Sequence, residues 1–450
     1  MAALPFSCVP GIAWPALPTA AGASMLAMQW QLEQSQWWTP EALLERQLAQ
    51  LAELIEHALA RVPAYRDVPR EVFRSLDPES FRRWPILDKR DLAGNEPRFC
   101  ADTVPREHGR ILTGSTSGSS GVPVKLAYTD VAQFQFHALV VRNHLWHGLD
   151  LSAKLCAINS LLEDGTQAAW SPVTAAAFRT GPAAMLSSSN DTDVLLDWLI
   201  DERPGYLQTR PSTLQALLLR SRESGKVPPG LRAAILLGES VPAGLRELAR
   251  EQWHLPLIDA YSCGEFGTLA LQCPDHEHYH VQAESAYVEI LREDGTPCAV
   301  GETGRVVVTT LHNFAMPLIR YELGDYAEVG APCPCGRGLP VLARIAGRVR
   351  NMAVDPDGRR FWPSFPALAF LDVAPLRGMQ LVQLSPSHVE VRYLLDRDLD
   401  RDEEGKLCRN LNAYLRYPFQ LSFSRVDALE RMPGGKFEDF ISRIEQPEAA

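Results

Sequence analysis

The chain has 450 residues, of which 46% are apolar and 22% charged, with a formal charge of -11. That length predicts two or three domains, and the composition excludes disordered and fibrous classes. Net negative charge without a basic block argues against nucleic acid or an anionic membrane surface as the main partner, while a few placed donors can still hold a phosphate.

No Lys or Arg precedes Arg46, and residues 1–30 are rich in Ala, Pro and Leu. An export signal needs a basic n-region and an unbroken apolar core, which Pro5, Pro10, Pro15 and Pro18 interrupt. Residues 1–28 are therefore expected to be a disordered extension or an over-extended translation start, with Met25 and Met28 just before the first convincing helix. No segment is long and apolar enough to span a bilayer, so a cytoplasmic protein without a membrane partner is expected. Among the nine cysteines, Cys8, Cys100, Cys156 and Cys408 have no evident partners and read as reduced thiols.

Thr39-Pro40-Glu41 opens an amphipathic helix: Thr39 suits the N-cap, Pro40 the first turn, and Leu43, Leu44, Leu48, Leu51, Leu54 and Ile55 form a stripe. Helical patterns over 130–146, 192–202, 211–222 and 243–252 alternate with short apolar runs, "KLCAIN", "AAILLGES" and "LPLIDAY". Buried strands alternating with helices predict α/β layers on a largely parallel sheet. From about Ala286, "AYVEILREDG" and "GRVVVTTL" alternate at period two, which predicts an antiparallel β region. After "RIAGRVR" a small α+β domain is expected. The predicted division is an extension over 1–28, a large domain over 29–347 and a small mobile domain over 348–450.

Between "GRILTG" and "VKLAYT" lie three glycines, two threonines and four serines within the nine residues Thr113 to Gly121. Glycine allows close approach of backbone N–H groups to an anion, and hydroxyls add donors. This is the composition of a phosphate-cradling turn, though not a Walker A loop, because no Gly-Lys-Ser/Thr closes it.

The run Thr116-Ser117-Gly118-Ser119-Ser120-Gly121-Val122-Pro123 resembles the phosphate-loop signature of adenylate-forming enzymes, the superfamily of acyl-CoA synthetases and adenylation domains. The trailing "AYT" and the helix "LIEHALARVPAYRDV" are most similar to its phenylacetate–CoA ligase branch. The resemblance extends in order from about residue 40 to 440. It implies nucleotide contacts from Ser115, Thr116, Ser117, Gly118, Ser119, Ser120 and Gly121, and from Gly238, Glu239 and Ser240 in "LLGES". It also implies Tyr261 against the adenine, Glu265 on Mg2+, Asp325 on the ribose and Arg348 near the nucleotide. Lys436 in "RMPGGKFEDF" would be the catalytic lysine. The implied substrates are ATP and a small carboxylic acid, with CoA as an acceptor.

"CPDHEHYH" and "CPCGRG" supply Cys273, His276, His278, His280, Cys333 and Cys335, the ligand types of a tetrahedral Zn2+ site. The expected ligands are Cys273, His280, Cys333 and Cys335, with His278 the alternative histidine, in a closed structural site.

Two departures limit the resemblance. Val122 stands where the family often has Lys, and Arg350-Asn351 followed by "DPDGRRFWPS" replaces the usual acidic hinge and CoA-facing turn. Alternative acceptors, a carrier-protein thiol or an amine, therefore stand beside CoA, and a non-catalytic nucleotide-binding relative is a third reading. Trp170, Phe178 and residues around Gly238 and Ser262 are candidates for the acid pocket, an aromatic acid being what the resemblance implies.

Overall fold

A computed structural model describes residues 4–69, 76–116, 123–160, 163–366, 368–415, 417–432 and 435–444. Two compact units are each assembled from discontinuous segments: Met1–Ser152, Ala169–Thr180 and Ala260–Ala346 in the first, Ala153–Ala168, Gly181–Asp259 and Gly347–Ala450 in the second.

In the first unit, helix Pro40–Arg61 starts where the sequence places it, with the Thr39 side chain accepting from Ala42 N. Its Leu51, Leu54 and Ile55 enter a core with Trp84, Val306, Val308 and Ile319. The antiparallel β region follows the order Ala286–Leu291, Thr303–Thr310, Tyr321–Val329, Val341–Arg348, Tyr279–Val281, Gly267–Gln272. Ala260 to Cys263 then pair antiparallel with Gly267–Gln272. Ile111–Ser115 and Lys125–Thr129 form a separate antiparallel pair.

The helix Ala20–Ser35 runs through the boundary drawn after residue 28. It buries Gln29 and Ser35 beside Met25 and Leu32, while Trp30 is exposed. Gln29 Nε2 donates to Ala138 O (2.8 Å) and Ser35 Oγ to Glu284 Oε1 (2.6 Å). A Cβ at Gly22 would stand 2.3 Å from Ala176 O, so only glycine lets this helix lie so close. Its burial rests in part on hydrogen bonds and a backbone approach, which hydrophobic periodicity does not register.

In the second unit, strands Leu257–Cys263 (through its first residues), Ala233–Leu236, Tyr206–Thr209, Leu155–Ile158 and Ala183–Leu186 are parallel neighbours. Helices Thr192–Glu202, Pro211–Ser224 and Leu245–Trp253 bury Leu196, Leu214 and Leu248 in their core. This is the α/β layering expected from the alternation of apolar runs and helical patterns.

The C-terminal part of that unit has the sheet order Gln420–Arg425, His388–Leu394, Gly378–Ser385, Phe440–Ser442, with helix Arg401–Tyr414. Leu407 and Leu411 of the helix pack on Leu381 and Val391 of the sheet. Asp400 caps the helix in a reciprocal box with Glu403. No helix among the described residues is long and apolar enough to cross a membrane.

Candidate functional site

In the first unit, the implied nucleotide residues meet around the end of strand Leu257–Cys263. Tyr261 Oη donates to Asp325 Oδ2 at 2.9 Å. Gly324, just before Asp325, has φ +76°, a left-handed conformation that favours glycine, and open space lies where its Cβ would be. Three residues beyond Ser262, Glu265 is largely buried, and Oε1 accepts from Tyr321 Oη at 3.4 Å. Lys89 Nζ stands 3.7 Å from the same oxygen. Burial and the Glu265 charge push the Tyr321 phenol well above its ordinary value, so it stays a donor.

Sequence reasoning missed Lys89 and Tyr321. "ILDKRDL" has no motif to mark Lys89, and only the fold brings that short helix, Lys89–Leu92, to Glu265.

The implied phosphate loop is carried at the tip of the antiparallel pair in which Ser115 faces Lys125. Thr116 N donates to Val124 O (3.0 Å), and Thr116 Oγ1 accepts from Val124 N (2.9 Å), so the loop's two ends are pinned together. Thr116 also lies in van der Waals range of Gly264, 3.7 Å from where a Cβ would be. Ser117, Gly118, Ser119, Ser120 and Gly121 lie outside the described residues.

The other implied residues belong to the second unit. Gly238, at φ +82°, follows strand Ala233–Leu236. Glu239 accepts from Ser212 N (3.1 Å) and from Phe437 N (2.8 Å), and Ser240 is exposed. Arg348 O accepts from Trp362 Nε1 at 3.1 Å. Arg350 forms a two-nitrogen ion pair with Glu438, and Asn351 Nδ2 donates to Phe440 O at 2.9 Å. The pair that departs from the family pattern thus ties 350–351 to the strand after Lys436. Lys436 sits in a turn closed by Met432 N donating to Lys436 O (2.8 Å), with Gly435 at φ +75°.

Trp170 and Phe178 are buried in the first unit, Trp170 edge-on to His144 with ring centroids 5.4 Å apart. These contacts are those of core side chains.

The sulfur and histidine ligands chosen from the sequence are brought together. Single ligand atoms of Cys273, His280, Cys333 and Cys335 lie within 4.8 Å of one another. Cys273 Sγ and Cys333 Sγ are 3.8 Å apart, and Cys335 Sγ is 3.5 Å from His280 Nε2. His280 is fixed by its strand, facing Leu271 on one side and Val341 on the other. His278 stacks on His276 instead, with centroids 5.1 Å apart. Just beyond the cysteines, Gly338 N donates to Gln36 O (2.9 Å), and Arg337 lies over Trp37 and Trp146.

No family model matches the chain. It is similar to the phenylacetate–coenzyme A ligase of Thermus thermophilus, with 27% identity over 327 residues, 70% of this chain and 72% of the relative. The phenylacetate–coenzyme A ligase of Pseudomonas putida is 24% identical over 429 residues, 90% of this chain and 95% of the relative. The fold matches that of a 2-hydroxyisobutyryl-CoA ligase in the post-adenylation state with 2-HIB-AMP, at TM-score 0.73 and 19% identity over 92% of each chain. In sequence and in fold, the class to which the chain is similar is that of the adenylate-forming ligases. Within that class it is a homologue of the phenylacetate–coenzyme A ligases.

Proposed function

We propose that the enzyme activates a carboxylic acid with ATP and passes the acyl group to CoA. The substrate carboxylate attacks the α-phosphorus, pyrophosphate leaves and an acyl-AMP forms; the thiol of CoA then displaces AMP. The observation that carries this reading is the Tyr261–Asp325 hydrogen bond, with Glu265 in the turn that follows the strand of Tyr261. Asp325 offers a carboxylate to ribose hydroxyls, and Tyr261 a ring face to adenine. Mg2+, with Glu265 as its protein ligand, would neutralise charge on the phosphates. Thr116 and the hydroxyls and amides of 117–121 would donate to phosphate oxygens. Lys436 would offset charge growing at the α-phosphorus, an effect worth about 3–4 kcal/mol by analogy with other preorganised donors.

An aromatic acid is the substrate class we favour, since the relatives are named for phenylacetate. Transfer to a carrier-protein thiol or an amine is the second reading, favoured by the engagement of Arg350 and Asn351 in contacts with Glu438 and Phe440. Use of ATP and CoA, and thiols without disulfide partners among the described residues, support a cytoplasmic setting.

Cys273, His280, Cys333 and Cys335 are proposed to hold a structural Zn2+. Tetrahedral zinc with Zn–S near 2.3 Å and Zn–N near 2.05 Å requires S···S of about 3.8 Å and S···N of about 3.5 Å. The separations of 3.8 and 3.5 Å fit that metal. Four protein donors leave no position for a reacting water, so the ion would brace the Cys333–Gly338 loop.

Acid-dependent ATP–pyrophosphate exchange, screened over aromatic, fatty and amino acids, tests the function. Exchange with one acid class, lost in Lys436→Ala, is expected. No exchange with any acid would reduce the chain to a nucleotide-binding relative.

A further inference from the structure

We infer that Glu239 is a positioning residue that seats the lysine-bearing turn, a role resting on the adenylation reading of Lys436. The two oxygens of Glu239 each accept a backbone amide. Oε2 takes Ser212 N at 3.1 Å, and Oε1 takes Phe437 N, 198 residues away, at 2.8 Å.

The first amide belongs to the opening turn of helix Pro211–Ser224, whose N-cap Arg210 makes no side-chain cap hydrogen bond. Amides there lack intrahelical partners and the helix end is electropositive, so a carboxylate placed from outside is stabilised. Glu239 is thereby fixed before it meets the turn. Its second oxygen grips the amide that follows Lys436, in a charge-assisted bond stronger than a neutral one.

Neighbouring contacts converge on the same turn. A Cβ on Gly435 would lie 3.1 Å from Arg210 Nη1 and 3.4 Å from Ser160 Oγ, so glycine permits the approach. Arg431 donates to Gly435 O (3.0 Å) and to Ser212 Oγ (3.4 Å), and its guanidinium lies over the Phe437 ring. The backbone on both sides of Lys436 is therefore held, and Glu239 supplies an anionic contact to it. Resemblance implied a nucleotide contact for Glu239; the task inferred for it is to hold the backbone of the turn that carries Lys436.

The test pairs a structural readout with a kinetic one. Hydrogen exchange is followed on peptides covering 435–442 in the full-length wild type, Glu239→Ala and Glu239→Gln. The seat predicts that Glu239→Ala loses protection there while 378–385 is unchanged, and that Glu239→Gln, which keeps an acceptor, recovers part of it. Unchanged protection at 435–442, or loss in both peptides, overturns the seat, and does so whether or not the wild type has activity. In pyrophosphate exchange with the best acid, Glu239→Ala is expected to lose turnover by on the order of 10- to 100-fold at unaltered KM for ATP. Added to Lys436→Ala it is expected to cost nothing further. A raised KM for ATP, or additive losses in the double variant, would make Glu239 a nucleotide contact and refute the inference. A wild type inactive with every acid overturns adenylation alone, leaving hydrogen exchange to decide the seat.

Discussion

Tyr261 and Asp325 lie 64 residues apart in sequence, and the phenol donates to the carboxylate at 2.9 Å. The bond orients the phenol and the carboxylate against each other. Removing a charge-assisted bond of this kind costs about 1.5–3 kcal/mol. Asp325→Asn is expected to raise KM for ATP by on the order of 10- to 100-fold without lowering the melting temperature by more than a few degrees. Tyr261→Phe, which keeps the ring, is expected to do less. Steady-state kinetics and a thermal melt check both.

Lys89 holds a positive charge 3.7 Å from Glu265. A cation there opposes Mg2+ at the same carboxylate, since two like charges a few ångströms apart repel by several kcal/mol at intermediate dielectric. Lys89→Met is expected to lower the half-saturating Mg2+ concentration several-fold, and Glu265→Gln to raise it. A magnesium titration of exchange activity reads both, and an unmoved midpoint in Lys89→Met counts against Glu265 as a ligand.

The zinc proposal predicts one equivalent of zinc by elemental analysis of purified protein, lost in Cys335→Ser. Removing the ion frees the loop whose Gly338 N holds Gln36 O and whose Arg337 covers Trp37. Chelation is therefore expected to shift tryptophan fluorescence and lower the melting temperature. Full stability in a metal-free preparation would remove the metal from the account.

His144 is buried, and burial pulls its imidazole from an ordinary 6.5 down to about 4, with nearby His147 adding to the shift. Its Nδ1 has no hydrogen-bond partner among the described residues. A folded-state value below the unfolded one gives stability that is complete above about 6.5 and drains as pH falls toward about 4. The loss amounts to roughly 3 kcal/mol at most. His144→Phe, which cannot be protonated, is expected to flatten the melting temperature between these limits in a series of thermal melts.

The sequence revealed features that depend on local chemistry. Thr39 and Pro40 mark a helix start, Cys-x-Cys with a Cys/His cluster marks four soft donors, and alternating runs mark the parallel strands. Features built by distant approach were hidden. Lys89 and Tyr321 reach Glu265 only through packing, and nothing in "KRDL" distinguishes that lysine from a solvated one. The helix Ala20–Ser35 was unreadable for another reason: buried Gln29 and Ser35 beside Met25 and Leu32, with Trp30 exposed, dilute the apolar stripe by which a packed helix is recognised. The partners of Glu239, two backbone amides, leave no trace in side-chain identity.

Isotope transfer tests the central claim most directly. The active acid, labelled with 18O in both carboxylate oxygens, is turned over with ATP and the acceptor, and the products are weighed by mass spectrometry. Attack of the carboxylate on the α-phosphorus places one 18O in AMP and none in pyrophosphate. Unlabelled AMP, or label in orthophosphate, would contradict it.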